Sequence, residues 1–240
     1  MDVIGPRPDE VLIEIGAGKG ALTCALAERA GRVIAVEKDS RLIPPLKERV
    51  PGNVEVVAAD VLRLDFRRLP GVAGAGRLRA VGNLPYSIST PLVFKILEDP
   101  GLFAGCVFLV QKEVAERMIA GPGSKRYAPL SILVQNYFEA RIAFAVPPGA
   151  FAPPPKVMSA LLTLDRRPVP LYADAGGVAF RAFLRAAFAE RRKMLWNNLA
   201  REAAPDRLAA AYSALGLERN VRAEQLSPDI LHALYRTLHA

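Results

Sequence analysis

A short apolar strand, a glycine-rich loop and a helix follow one another near the start of the chain, and this order constrains the fold most strongly. Residues 11–15 are apolar except for Glu14, and residues 16–20 read Gly-Ala-Gly-Lys-Gly. Residues 21–30 then have the apolar spacing of a helix. Glycines let the backbone approach a ligand closely at the amino terminus of a helix. The pattern therefore predicts the first unit of an open α/β sheet, with a ligand site at its loop.

Acidic side chains end the next two predicted strands. The strand 32–36 is followed by Glu37, 21 positions after Gly16, and the strand 54–59 is followed by Asp60. A carboxylate placed like Glu37 can accept hydrogen bonds from both ribose hydroxyls of a nucleoside. Asp60 can accept one from an adenine amino group. Because open α/β sheets bind ligands at the carboxyl ends of their strands, we expect these groups to share one crevice.

The glycine spacing alone leaves two cofactors open. Gly16, Gly18 and Ala21 also fit the dinucleotide fingerprint G-x-G-x-x-G/A, so NAD is one candidate. Glu14, just before the glycines, would oppose a pyrophosphate but attract the cationic methionine end of S-adenosyl-L-methionine. Together with Asp60, it favours S-adenosyl-L-methionine as the cofactor.

Residues 80–86 have the form of a strand that runs into a polar turn with an amide, a proline and an aromatic ring. Asn83 can offer a carbonyl oxygen to an exocyclic amine, while Pro85 fixes φ and removes a donor. The Tyr86 ring can stack on a base, so the turn suits a flipped nucleobase whose amino group must face a reagent. Taken alone, the turn leaves open a second interpretation, a strand-to-helix connection that merely needs Asn-x-Pro geometry.

Composition limits the class of protein. The 240 residues are 51% hydrophobic, enough to bury a core, and the net charge of +8 favours a polyanionic partner. No apolar run approaches the roughly 20 residues that span a bilayer, and signal-peptide features are missing. We therefore expect a cytoplasmic protein without membrane contact. Cys24 and Cys106 have no metal or redox spacing, and both histidines lie in the last predicted helix, so no metal site is expected.

Two basic segments are candidates for nucleic-acid contacts. Lys125 and Arg126 lie in the loop 121–127, which combines basic and aromatic residues. The run Arg191-Arg192-Lys193 follows an amphipathic helical pattern over residues 178–189, whose aromatic residues we interpret as core. In both segments, ordinary solvated charge is the alternative to phosphate contact.

Phe151 lies in a proline-rich connection between two predicted strands, residues 141–146 and 157–164. Because prolines restrict the chain, the Phe151 ring would be presented with little conformational entropy left to lose. It is a candidate for the second face of a base that rests on Tyr86, although a loop anchor in the core is also possible. The other predicted elements are helices at 90–97, 111–120, 130–138, 205–215 and 228–238 and strands at 78–81 and 105–110.

Four motifs stand in order along nearly the whole chain, at residues 14–20, 83–90, 111–114 and 151–157. Together they resemble the KsgA family of small-subunit ribosomal RNA adenine N6-dimethyltransferases. The ordered set is specific where each motif alone is not, and residues 190–195 add to the resemblance.

The resemblance implies an α/β fold: a Rossmann-like S-adenosylmethionine-dependent methyltransferase domain with a seven-stranded sheet, followed by a small helical domain. We place these at residues 1–164 and 165–240 and expect the second to bind RNA. The implied substrate is a pair of adjacent adenosines in a hairpin loop near the 3′ end of small-subunit ribosomal RNA, within an immature 30S particle. We expect the enzyme to be a monomer.

Adenine N6 methylation requires the amino nitrogen to be held and distorted toward tetrahedral geometry. The side-chain oxygen of Asn83 and the main-chain oxygen of Leu84 would accept its two N–H bonds. Since only the ring of Tyr86 would stack, Tyr86→Phe is expected to be nearly silent. The residues expected at the catalytic turn are Asn83, Leu84, Pro85 and Tyr86. Those expected to bind the cofactor are Glu14, Gly16, Ala17, Gly18, Glu37, Lys38, Asp60, Val61 and Asn83. Those expected to bind RNA are Tyr86, Lys125, Arg126, Phe151, Arg191, Arg192 and Lys193.

The sequence departs from the family pattern in one place. Family members usually carry a basic segment with a Gly-Gln-Asn/His-Phe-Leu motif and a helix before the first strand, which here is predicted to start near Val11. That segment normally helps to close over cofactor and RNA.

Two other functions stay open at this point: the same chemistry on large-subunit RNA, as in macrolide-resistance methylases, and a non-catalytic RNA-binding assembly or transcription factor of the same fold. The motif at 111–114 and the proline-rich loop favour small-subunit RNA, and the intact Asn83 turn argues against a non-catalytic role.

Overall fold

The computed structural model describes residues 1–69, 72, 77–175 and 177–239. Its contacts group into two compact units, one formed by Met1–Ala115 with Phe138–Arg167 and the other by Glu116–Tyr137 with Pro168–Ala240. The expected boundary at residues 164 and 165 differs from this grouping in two respects. The first unit continues to Arg167, and the segment Glu116–Tyr137 groups with the carboxyl-terminal unit although it lies between two strands of the first unit in sequence.

Seven strands form the sheet of the first unit. They are β1 (Val11–Ile15), β2 (Arg32–Glu37), β3 (Val54–Ala58), β4 (Leu78–Asn83), β5 (Phe103–Gln111), β6 (Phe138–Val146) and β7 (Ser159–Arg166). Their spatial order is β3-β2-β1-β4-β5-β7-β6, with β7 antiparallel to both neighbours and the other pairs parallel. The expected seven-stranded, Rossmann-like α/β sheet is confirmed.

The central strands are apolar on both faces, as parallel strands covered by helices must be. Leu12 on β1, Val33 on β2 and Val81 on β4 are fully buried, and they share a cluster with Leu26, also fully buried. Burial of each such side chain stabilises the fold by about 1.5–3 kcal/mol. This layer holds β1, β2 and β4 in register, so that their carboxyl ends meet at one edge.

Nine α-helices are present among the described residues. They are α1 (Ala21–Ala27), α2 (Ile43–Arg49), α3 (Tyr86–Glu98), α4 (Lys112–Ile119), α5 (Pro129–Tyr137), α6 (Val178–Ala187), α7 (Leu195–Leu199), α8 (Pro205–Ala214) and α9 (Pro228–His239). Helix α2 was not predicted, because Pro44 and Pro45 in its first turn obscure the helical pattern. Within the ranges that the structure covers, no helix is long and apolar enough to cross a membrane.

Helix α3 begins at Tyr86, four residues before the predicted start at residue 90. Pro85 caps it with a φ of −52°, a value that proline adopts without cost. Tyr86 is therefore the first residue of a helix, with a fixed backbone, and not a loop residue. Strand β6 also begins earlier than predicted, at Phe138, directly after the last residue of α5.

The second unit has an aromatic core. Phe180 and Phe183 on α6 are buried, and the Phe180 ring lies edge-on to Tyr235 of α9 with 5.0 Å between centroids. Such pairs contribute about 0.5–1.5 kcal/mol beyond their buried area. The interpretation of the α6 aromatic residues as core is confirmed.

Candidate active site

A cleft of about 380 Å³ opens at the carboxyl ends of the parallel strands. It lies where the chain order along the sheet reverses, between β1 and β4, which is the usual ligand site of open α/β sheets. Its volume is in the range of small-molecule sites. Six of the residues expected to bind the cofactor line it: Gly16, Glu37, Lys38, Asp60, Val61 and Asn83.

The Glu37 carboxylate holds the glycine loop. One oxygen accepts a hydrogen bond from the Gly18 amide at 2.8 Å, and the other accepts from the amides of Lys38 and Asp39, both at 2.8 Å. Gly16 and Gly18 have φ angles of 76° and 58°, a left-handed backbone that side chains other than glycine disfavour. A carboxylate offers about four acceptor positions, and backbone amides already occupy three of those of Glu37.

Glu14 lies on β1, two residues before the same loop, and is buried. Its side chain is only 2% exposed, and one carboxylate oxygen has no hydrogen-bond partner among the described residues. Burial, with a smaller contribution from the charge of Glu37, raises the pKa of Glu14 to about 7. Glu14, Ala17 and Gly18 are not among the residues that line the cleft. The structure thus places Glu14 near the end of β1 as a buried carboxyl group without a complete set of partners.

Lys38 and Asp60, both in the cleft lining, form an ion pair. The Lys38 Nζ is 2.8 Å from one Asp60 oxygen, and the other oxygen accepts from the Leu62 amide at 3.0 Å. The hydrogen bond from Lys38 lowers the pKa of the Asp60 carboxyl. Asp60 is therefore ionised at neutral pH and able to accept a further donor.

The turn after β4 is held in place by the close approach of Gly82 to β1 and by burial of Leu84. A side chain at Gly82 would place its Cβ 2.5 Å from the Ile15 carbonyl oxygen, so only glycine permits this approach of β4 to β1. The Leu84 side chain is buried, and its amide donates to the Leu109 carbonyl at 3.1 Å. The Asn83 side chain is exposed. The turn thus presents Asn83 at the cleft on a fixed backbone.

The Tyr86 hydroxyl has a partner that the sequence did not reveal. It lies 2.7 Å from the Ser159 hydroxyl, and Ser159 is 1% exposed at the start of β7. Tyr86 and Phe151 are both half-buried, and Phe151 follows a short 3-10 turn, Pro148–Ala150. In the sequence, the one signal for Ser159 was its position two residues after the motif at residues 151–157. The bond changes the expectation that Tyr86→Phe is nearly silent.

The two basic segments lie in the second unit. The Gly123 amide donates to the Glu224 carbonyl at 2.7 Å, and the Glu224 carboxylate pairs with Arg191 at 2.7 Å. Arg126 pairs with Glu116 at 3.0 Å. Lys125, Arg192 and Lys193 are exposed. Glu224 therefore contacts both the loop that carries Lys125 and the first residue of the run Arg191-Arg192-Lys193.

Tyr127, the aromatic residue of the loop 121–127, is 1% exposed. Its ring packs edge-on against Phe188 with 5.8 Å between centroids. It therefore belongs to the core of the second unit and cannot stack on a base. No group of three or more potential metal ligands occurs in the described part of the chain.

Comparisons with known proteins agree with this geometry. The sequence model of ribosomal RNA adenine dimethylases matches residues 1–239. The chain is 41% identical over 244 residues to the ribosomal RNA small subunit methyltransferase A of Geobacter metallireducens, an alignment that covers 100% of this chain and 89% of the relative. The chain belongs to the ribosomal RNA adenine dimethylase family. Its substrate is accordingly ribosomal RNA, and its cofactor is S-adenosylmethionine, as predicted, in place of NAD.

Two solved structures share the fold of this dimethylase. A dimethyladenosine transferase from Plasmodium falciparum is 26% identical with a TM-score of 0.75, over 95% of this chain and 90% of that one. The 23S rRNA methyltransferase ErmE is 29% identical with a TM-score of 0.72, over 100% of this chain and 95% of that one. The residues at and beside the cleft fit the cofactor. The Asp60 carboxylate in the lining keeps acceptor capacity beyond its bonds to Lys38 and one backbone amide, and the neighbouring buried Glu14 carboxyl has an oxygen without a partner among the described residues.

The first testable consequence concerns Glu14 in the cofactor-free dimethylase. Its native pKa of about 7 exceeds the ordinary value of 4.5, so its contribution to stability is complete below about pH 4.5 and is lost as the pH rises to 7. Glu14→Gln removes this titration. Between pH 5 and pH 8, the free energy of unfolding of the variant, measured in urea, should rise relative to that of the parent by about 2.5 kcal/mol. A difference that does not depend on pH would contradict the buried, protonated Glu14.

The second concerns Glu37. Glu37→Ala removes the carboxylate that is expected to accept from the ribose hydroxyls and leaves the Gly18 amide without its partner. Cofactor binding should weaken by roughly 1.5–3 kcal/mol, or about 10- to 150-fold in Kd, in calorimetric titration with S-adenosylmethionine. Glu48→Ala, at an exposed position on α2, is the matched control and should bind like the parent. Equal affinities for the two variants would remove Glu37 from the site.

Proposed function

We propose that this dimethylase methylates N6 of two adjacent adenosines in a 3′-terminal hairpin loop of small-subunit ribosomal RNA, acting as a cytoplasmic monomer on an immature 30S particle. The observation that carries the chemistry is the exposed Asn83 amide, which an anchored turn presents at the edge of the cleft. The choice of small-subunit RNA is supported by the relative from Geobacter metallireducens, a ribosomal RNA small subunit methyltransferase that aligns with the whole chain.

In this proposal, the carboxylates of the cleft hold the cofactor. Glu37 accepts from the ribose hydroxyls, with its bond to Gly18 free to lengthen or exchange as they bind. Asp60 accepts from the adenine amino group beside Lys38. Glu14 balances the cationic methionine end. S-adenosylmethionine supplies the methyl group from its sulfonium when bound. Gly16, Ala17, Gly18 and Val61 shape the backbone around it.

The turn holds the target amine. The Asn83 side-chain oxygen and the Leu84 main-chain oxygen accept the two N–H bonds, which draws the nitrogen lone pair out of the ring and aligns it for attack. Burial of the Leu84 side chain fixes the position of that carbonyl. Because the turn is fixed before the substrate arrives, positioning can supply several kcal/mol of the barrier without a strong base.

Aromatic rings hold the base. Tyr86, at the first position of α3, offers one face, and Phe151, on the proline-rich loop, offers the other. Stacking contributes about 1–3 kcal/mol per base. Monomethyl-adenine keeps one N–H and can rotate, so the same pocket accommodates the second transfer.

The second unit supplies phosphate contacts. Arg192, Lys193 and Lys125 are exposed cations, whereas Arg191 and Arg126 already pair with Glu224 and Glu116. An ion pair must be given up before its cation can neutralise a phosphate. The exposed cations are therefore expected to contribute most of the salt dependence of RNA binding.

Large-subunit RNA is the second candidate substrate, favoured by the 29% identity to the 23S rRNA methyltransferase ErmE. Transfer of labelled methyl groups to purified immature 30S particles and to large-subunit particles, compared side by side, separates the two. Labelling of the 30S particle alone, with two methyl groups on each adenosine, is the expected result.

Asn83→Ala tests the catalytic turn. The variant loses the acceptor that matters most as N6 becomes tetrahedral, so single-turnover methylation of 30S particles should slow by at least about 100-fold. Affinity for cofactor and RNA should change far less, because this contact strengthens in the transition state. Asn83→Asp should also be slow, since it changes the charge and the hydrogen-bond set.

Circular dichroism and cofactor titration on the same preparations control for folding. Rates close to the parental rate for both Asn83→Ala and Tyr86→Ala would refute the catalytic proposal and support a non-catalytic RNA-binding role.

Replacement of Arg191, Arg192 and Lys193 by Ala tests the second unit. RNA affinity should fall, and the slope of log K against log salt should flatten by up to about one unit for each lost contact. Arg192 and Lys193 should account for most of the change. Filter binding to 30S particles at several salt concentrations measures both quantities.

A matched triple variant in the first unit, Arg29, Lys47 and Arg68 to Ala, removes the same charge from exposed positions. It should lower the affinity slightly and keep the parental slope. If both triple variants give one slope, the run 191–193 is ordinary surface charge.

A further inference from the structure

The bond between the Tyr86 and Ser159 hydroxyls joins two segments that are 73 residues apart. Its oxygen–oxygen distance of 2.7 Å is typical of a good O–H···O hydrogen bond. Ser159 is almost wholly buried, whereas Tyr86 is half-buried. Loss of the tyrosine hydroxyl would therefore leave a buried serine hydroxyl without its partner, which is costly.

Ser159 is a rigid end of this bond. It is the first residue of β7 and pairs with the last residue of β5, Gln111, and the last residue of β6, Val146. Just before it, the Met158 carbonyl accepts from the Lys112 amide at 3.0 Å. The backbone is therefore held by both neighbouring strands where the proline-rich loop enters the sheet.

Tyr86 is the adjustable end. Its backbone is fixed as the first residue of α3, but its ring is half-buried and can turn about its side-chain torsions. A hydrogen bond at the tip of the ring restricts that rotation. The ring face is then presented in one orientation relative to the adjacent Asn83 turn.

We infer that Ser159 is a positioning residue of the dimethylase, whose hydroxyl holds the Tyr86 ring in the orientation that stacks the flipped adenine. The bond also links Tyr86 to the start of β7, which directly follows the loop that carries Phe151. The position of this strand end therefore affects both rings that are proposed to enclose the base. This inference rests on the proposed role of the Asn83 turn. It assigns a function to the Tyr86 hydroxyl, which stacking alone would not need.

The alternative is a bond that only stabilises the fold. The two roles differ in what a folded variant does. A structural bond, once lost, lowers the melting temperature but leaves the rate of each folded molecule unchanged. A positioning bond lowers the rate of methyl transfer at saturating RNA, because a misaligned ring holds N6 away from the line of attack.

A double-mutant cycle over Tyr86→Phe and Ser159→Ala tests the inference. Each single variant should lower the single-turnover rate at saturating 30S particles by about tenfold, the scale of one positioned contact, with unchanged cofactor affinity. The double variant should be no slower than the slower single variant, because each change removes the same bond. Parental rates for the singles, or losses that multiply in the double, would overturn it.

A fluorescent base gives a second readout. An RNA hairpin with 2-aminopurine at a target adenosine should show the same altered fluorescence with Tyr86→Phe and Ser159→Ala, since the stacked base senses the ring orientation. A spectrum identical to that of the parent would count against positioning.

Thr163→Val is the matched control. Thr163 is a buried hydroxyl residue on the same strand, bonded to Arg141 at 3.1 Å, four positions beyond Ser159. The variant should lose stability and keep the parental rate and fluorescence. Asn83→Ala distinguishes a failure of this inference from a failure of the proposed function. If it is inactive while Ser159→Ala is fully active, only this inference fails, whereas an active Asn83→Ala removes the proposed function itself.

Discussion

The Glu37 carboxylate is the interaction on which the geometry of the cleft depends. It ends β2 and accepts three backbone hydrogen bonds, one from Gly18 in the loop after β1 and two from the residues that follow it. The glycine loop is therefore held by a carboxylate that the protein itself supplies. This arrangement lowers the entropic cost of ordering the loop when a ligand binds. The same carboxylate also raises the pKa of Glu14, so the charges of the two residues are coupled.

The charges of the dimethylase are divided according to its two ligands. The cleft holds Glu37 and Asp60 and has Glu14 near it, although the chain as a whole carries a net charge of +8. Exposed cations occur in both units, and those proposed to contact RNA, Arg192 and Lys193, lie in the second unit. In this proposal, the cationic cofactor and the polyanionic RNA meet groups of opposite charge. The carboxylates of the cleft would also disfavour RNA phosphate there.

Features that depend on local pattern could be predicted from the sequence, and features that depend on distant contacts could not. Glu37 and Asp60 were placed at the cleft because strand periodicity and the geometry of parallel sheets fix the ends of strands. Ser159 was missed, since its partner lies 73 residues away and hydroxyl pairs leave no local signal. The burial of Tyr127 could not be predicted, because its packing against Phe188 depends on contacts within the second unit. The grouping of residues 116–137 with the tail also arises from contacts that no local pattern records.

Every titratable residue that lines the cleft, among the residues that the structure describes, is already engaged, so the proposed chemistry relies on fixed geometry. The titratable residues that line the cleft are Glu37, Lys38 and Asp60, and each is engaged with a backbone amide or an ion pair. Both histidines of the chain lie on α9, in the second unit. In the proposed mechanism, the amine loses its proton after the methyl group has arrived and made it strongly acidic, and solvent beside the exposed Asn83 accepts that proton. Catalysis in this proposal depends on how firmly the buried Leu84 side chain holds the turn and Ser159 holds the Tyr86 ring, since no proton transfer has to precede attack.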